Sequence, residues 1–121
     1  MKLLIVGSRS ITNFDLADHI PAHTELIISG GAHGIDTIAE NYADRHNIPK
    51  YIIRPQYDRY GKGAPLKRNE KMVELCDVVL AIWDGESKGT RHTLNYAKKK
   101  NKNIIEIIVA NAEILKIIKT V

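Results

Sequence analysis

Disulfides, cysteine-built metal sites and membrane spans are all short of material in this chain. There is one cysteine, Cys76, in 121 residues. It closes no intramolecular disulfide and builds no cysteine metal site, which points to a reducing cytoplasm. No stretch approaches the roughly 18 to 20 apolar residues of a membrane helix, so no membrane partner is expected. The apolar start Leu3-Leu4-Ile5-Val6 is too short for a signal sequence and runs straight into Ser8-Arg9-Ser10. It reads as a first strand. Repeats, low-complexity tracts and linkers are missing, and the length suits one domain, 1–121. Hydrophobic and charged fractions of 44% and 26% exclude a disordered chain.

Eighteen basic against fourteen acidic residues give a formal charge of +4, which suits an anionic ligand. Much of the excess lies in Lys98-Lys99-Lys100 and Lys102, at a predicted helix end, where lysines oppose the helix dipole and need no partner. No aromatic residues interleave with them, as a single-strand nucleic-acid platform would require.

Periodicity predicts alternating strands and helices. Strands are expected at 2–6, 25–29, 51–53, 77–83 and 104–109, most of them near-continuously apolar, as in a parallel sheet covered on both faces. Helices are expected at about 13–20, behind a Thr12/Asp15 capping pair, and at 32–46, 66–75 and 89–100. A closing amphipathic helix is expected after Asn111. The pattern calls for an α/β three-layer sandwich on a five-stranded parallel sheet. Ligands of such sheets bind beyond the carboxyl ends of the strands.

The glycine and polar residues gather at those ends. Strand 1 ends in Gly7-Ser8-Arg9, strand 2 in Ser29-Gly30-Gly31-Ala32-His33-Gly34-Ile35-Asp36, and strand 4 in Asp84-Gly85-Glu86-Ser87-Lys88-Gly89-Thr90. Glycines admit close approach, and unpaired amides at a helix start favour an anion. Three such loops on one sheet edge point to phosphate. The second loop lacks the dinucleotide spacing, and no Gly-Lys-Ser or Gly-Lys-Thr of a P-loop occurs. Asp36 either complements a helix dipole or accepts from a ribose hydroxyl; His33 is a solvated loop residue or a ligand contact. Arg68 and Asn69 lie near a helix start, where an arginine opposes the dipole, so an anionic partner is expected there. Arg68 is expected to serve that ligand rather than the fold. Trp83 reads as core or pocket wall, and Cys76 as inert core. Nucleophile elbows and metal spacings are absent, and neither metal nor cofactor is expected.

Gly7-Ser8-Arg9, Ser29-Gly30-Gly31-Ala32-x-Gly34-x-Asp36, Arg68-Asn69-x-x-Met72 and Asp84-Gly85-x-Ser87-x-Gly89-Thr90, in that order, resemble the YspA-like branch of the SLOG superfamily. That superfamily includes the Lonely Guy phosphoribohydrolases, DprA and YpsA. The resemblance implies a Rossmann-like fold with strand order 3-2-1-4-5, a nucleotide-type ligand and self-association. Lonely Guy enzymes carry Pro-Gly-Gly-x-Gly-Thr-x-x-Glu; aligned on Gly89-Thr90, their catalytic glutamate falls on Thr93, which offers no carboxylate. The first reading is therefore a cytoplasmic, homo-oligomeric binding protein for a nucleotide or an ADP-ribose-like derivative, acting as a sensor or a sequestering protein. The second is a nucleoside-monophosphate N-glycosidase using Arg68 and a relocated carboxylate, Asp36 or Glu86. The third is a DprA-like DNA-binding module.

Overall fold

A computed structural model describes residues 1–120. The elements run β1 (Lys2–Gly7), β2 (Leu26–Ser29), α1 (Ile35–Arg45), β3 (Lys50–Ile52), α2 (Tyr57–Tyr60), a 3-10 turn (Gly61–Gly63), α3 (Ala64–Leu75), β4 (Val78–Trp83), α4 (Lys88–Lys99), β5 (Asn103–Ala110) and β6 (Glu113–Thr120). They form one mixed sheet in the order β3-β2-β1-β4-β5-β6. The first five strands are parallel and follow the expected order; β6 pairs antiparallel with β5.

The continuous apolar strands are buried on both sides because successive side chains point to opposite faces. Leu3 and Ile5 pack with Ile27, Leu80 and Ile82 beneath Ile35, Ala39 and Ala43 of α1. Leu4 and Val6 pack with Ile28, Val79 and Ala81 beneath Met72 and Val73 of α3 and Leu94 and Ala97 of α4. The result is three layers, with α1 on one face and α3 and α4 on the other.

Two expected elements take other forms. The segment 13–20 is not a helix. Asp15 does not cap one; its Oδ1 accepts the Ala17 N–H at 3.0 Å in a local turn. Short polar side chains compete with helical hydrogen bonds, and Pro21 ends a stretch too short to be helical without packing. Leu16 nonetheless enters the core on the α1 side, with Ile11, Phe14 and Ile20 against it. The closing segment is likewise a strand instead of a helix, which makes the sheet six-stranded and mixed. Asn111 and Ala112 take φ of 52° and 64°, the left-handed pair of a two-residue hairpin, and fold the chain back onto β5. A register shift between Ile108 and Val109 leaves Leu115 as the extra residue of a bulge. Ile114 and Ile117 thereby share one face, opposite Val109 and Ile107.

The chain leaves β1 toward β2 and β3, then returns to add β4 on the other side of β1. This reversal is the switch point at which α/β sheets open a crevice.

Candidate functional site

The loops after β1, β2 and β4 meet above that switch point, joined by backbone contacts that only glycine permits. A Cβ on Gly7 would collide with the Ile82 carbonyl oxygen, and one on Gly34, at φ 73°, with the Ser8 and Arg9 carbonyls. Ser8 is the buried tie among them. Its Oγ accepts the Asp84 N–H at 3.0 Å, and its carbonyl accepts the Ile35 N–H at 3.3 Å. Arg9 stands exposed on the rim.

The double glycine does something the sequence does not suggest. The Gly31 amide donates to Ser29 Oγ at 3.3 Å, and the Ala32 amide to Asp36 Oδ2 at 3.1 Å. Those donors are turned inward rather than offered as an open phosphate cradle. The carbonyls point to arginines instead. Gly30 O accepts from Arg68 Nη1, and Gly31 O accepts from Arg54 Nη1 at 3.4 Å.

Arg68 reaches from α3 across the ends of β2 and β3. Nη1 also donates to Ile53 O at 3.3 Å, and Nε to Asn69 Oδ1 at 2.7 Å. It is therefore partly a fold residue, contrary to the expectation that it serves the ligand alone. Asp36 lies beside it, 8% exposed. Burial raises the Asp36 pKa, against the Ala32 N–H and the cations Arg68 and Arg9, which hold it down. Burial lowers the Arg68 pKa, and the Asp36 carboxylate opposes that shift.

On the far side the start of α4 faces the same space. Asp84 Oδ1 accepts the Glu86 and Ser87 amides at 2.9 and 3.0 Å, which lowers its pKa and shapes the turn at Gly85, φ 84°. Helix α4 carries no side-chain cap on Ser87, so its first-turn amides lack the usual internal acceptor. Thr93 is fully buried and donates to the Gly89 carbonyl at 3.0 Å, while Asn69 Nδ2 approaches that carbonyl at 3.5 Å.

A cleft of about 510 Å³ runs between these groups. Of the residues singled out from sequence, Gly7, Ser8, Arg9, Asp36, Arg68, Asn69, Asp84, Ser87, Gly89 and Thr90 line it, as do Thr93 and Met72. Gly30, Gly31 and His33 line an adjoining side pocket of about 230 Å³, which Arg9 and Arg68 also border. Ser29 is buried under the loop, donating to Glu40 Oε2 at 2.9 Å. Gly34, Gly85 and Glu86 line neither space. Sequence reasoning missed Arg54 and Tyr57 in the side pocket. Arg54 directly follows the expected third strand, so the strand-end rule that singled out Arg9 could have found it.

Trp83 is core: its Nε1 donates to buried Glu106 at 2.9 Å. Cys76 is buried, which pushes its thiol up to about 11 and leaves it unreactive. Among the described residues, no three His, Cys, Asp or Glu side chains come together as a metal site, and no helix is long and apolar enough to cross a membrane.

No family model matches the chain, and no solved structure matches it. Two curated proteins are similar. The SPbeta prophage-derived protein YoqJ of Bacillus subtilis (strain 168) is 34% identical over 65 residues, 51% of this chain and 37% of that protein. The Gene 61 protein of Mycobacterium phage D29 is 35% identical over an alignment of 117 residues that covers 86% of this chain and 94% of the phage protein. A likeness of that depth across nearly the whole relative is one of common architecture, and the chain belongs to the family of this phage Gene 61 protein.

Proposed function

We propose that the protein binds a nucleotide or a nucleotide derivative in the cleft above β1, β2 and β4, as a sensor or sequestering protein of the cytoplasm. One observation carries the reading. The cleft brings together a buried carboxylate, Asp36, the cations Arg9 and Arg68 beside it, and a helix start without a side-chain cap. Phosphate oxygens suit first-turn amides of α4 and the guanidinium groups, because both present N–H donors and positive charge. Asp36 suits a ribose hydroxyl, which donates to a carboxylate. The SLOG resemblance, with its Rossmann-like fold and tendency to self-associate, supports the same reading.

A second reading, N-glycosidic hydrolysis, draws on Asp36 alone. Its raised pKa favours a proton-holding carboxyl within the cleft. Glu86, the other candidate, is exposed outside the cleft. One experiment separates the readings: calorimetric titration with AMP and N6-substituted AMP, followed by chromatography for free base. Binding without release is expected. Release at about one per second, abolished by Asp36→Asn, would establish the hydrolase instead, and absence of binding to any nucleotide would remove both.

A further inference from the structure

Three guanidinium groups converge where the cleft opens into the side pocket: Arg9 after β1, Arg54 after β3 and Arg68 from α3. Among the described residues, none of the three makes a salt bridge within 4.0 Å. The Asp36 carboxylate beside Arg68 offsets one of the three charges, so the group keeps an excess of positive charge that an anion would join favourably.

The double glycine holds two of them in place. A Cβ on Gly30 would stand 2.7 Å from Arg68 Nη1, and one on Gly31 2.8 Å from Arg54 Nη1. Both side chains lie directly on bare backbone, each donating to the carbonyl beneath it. Gly31 also takes φ 73°, a conformation that other residues rarely adopt. The Gly30-Gly31 pair is thus the bed for two arginines.

Arg9 and Arg68 border both spaces, so the side pocket continues the main cleft. The arginine bed lies over the end of β2, and the start of α4 follows β4, two strands away. That separation is about 10 Å at the usual strand spacing. Asp36 lines the cleft beside Arg68, its Oδ2 3.0 Å from where a Cβ on Gly30 would stand. We infer that the ligand carries two phosphoryl groups on opposite sides of one sugar. The first sits at the start of α4, the second among Arg54, Arg9 and Arg68, and the hydroxyl-bearing sugar lies at Asp36. The inference rests on the nucleotide reading above and narrows it to nucleoside bisphosphates and their dinucleotide relatives. A single phosphate leaves one seat empty.

The test is calorimetric titration of the full chain with the 5′-monophosphates and the 3′,5′-bisphosphates of adenosine and guanosine. For the base that binds, the bisphosphate is expected to bind about tenfold or more tighter than the monophosphate, as an added charge-assisted contact implies. Arg54→Ala is expected to shrink that ratio to about threefold or less. Lys98→Ala, on the exposed end of α4, is expected to preserve it. A ratio between ligands is insensitive to a uniform loss of folded protein, so an unstable variant still reports. Equal affinity for mono- and bisphosphate in the wild type would overturn the second seat and leave the nucleotide reading standing. A preference that survives Arg54→Ala would also overturn it. Failure of every nucleotide to bind would overturn the nucleotide reading, and the second seat with it.

Discussion

Arg68 joins two roles in one side chain. Its Nε and Nη1 donors tie α3 to the ends of β2 and β3, while the residue also lines the cleft. Arg68→Ala is therefore expected to cost stability, by about 1 to 3 kcal/mol from lost charged hydrogen bonds, as well as ligand affinity. Chemical denaturation checks the first and calorimetry the second. An unchanged unfolding midpoint would mean the three contacts contribute nothing to folding. Asp36 has the opposite balance. Because burial raises its pKa, the folded protein holds that proton more readily than the unfolded chain. The stability linked to this site is present below the ordinary value of 3.8 and lost as pH rises through the raised folded value. Asp36→Asn removes the buried charge and keeps an acceptor for the Ala32 N–H. The variant should be more stable than wild type at pH 7 and equal to it near about pH 3, while binding ligand more weakly. Melting curves across that range decide the matter; a variant destabilised at pH 7 would show that the pairing with Arg68 outweighs desolvation.

At the scale of elements, the hairpin between β5 and β6 contains a correctable strain. Ala112 sits at φ 64°, where its Cβ crowds the backbone, whereas Asn111 at 52° tolerates the left-handed region. Ala112→Gly restores the Asn-Gly pair that two-residue hairpins prefer. The expected outcome is a gain of about 1 kcal/mol, read as a higher denaturation midpoint. A loss would mean that glycine's extra freedom in the unfolded chain outweighs the relieved strain. The same hairpin explains why the last segment misleads the eye. Ile114, Leu115, Ile117 and Ile118 repeat at helical spacing. The bulge at Leu115 reproduces that spacing in a strand by setting Ile114 and Ile117 on one face. Three of the four are β-branched, and the open edge of β5 offers them a ladder of hydrogen bonds.

At the scale of the whole molecule, β6 leaves the sheet with an exposed apolar edge. Ile114, Leu115 and Ile117 are 43%, 64% and 47% exposed. Proteins usually guard such edges, and here Lys116 and Lys119 interrupt it while Glu113 opens it. A second copy of the chain is the expected cover. Sedimentation at tens of micromolar should give a dimer, and Leu115→Lys should return the monomer; a monomeric wild type would discard the idea. The alternation of strand and helix and the apolar strands were open to sequence reading because they rest on local periodicity, and the 3-2-1-4-5 order was what the resemblance implied. So was the gathering of Ser8, Arg9, Asp36, Arg68 and Thr90 at one edge, since parallel strands all end on the same side. Tertiary structure alone decided the rest. Whether the last segment coils or pairs depended on a free edge of β5, to which no helix period refers. Gly30 and Gly31 look like a phosphate loop in sequence, yet the Gly31 amide goes to Ser29, the next amide, Ala32, to Asp36, and the two glycine carbonyls to Arg68 and Arg54. The contacts that Arg68 and Arg54 make across the ends of β2 and β3 are invisible to any local pattern, because long side chains choose their partners only after the backbone has brought distant residues together.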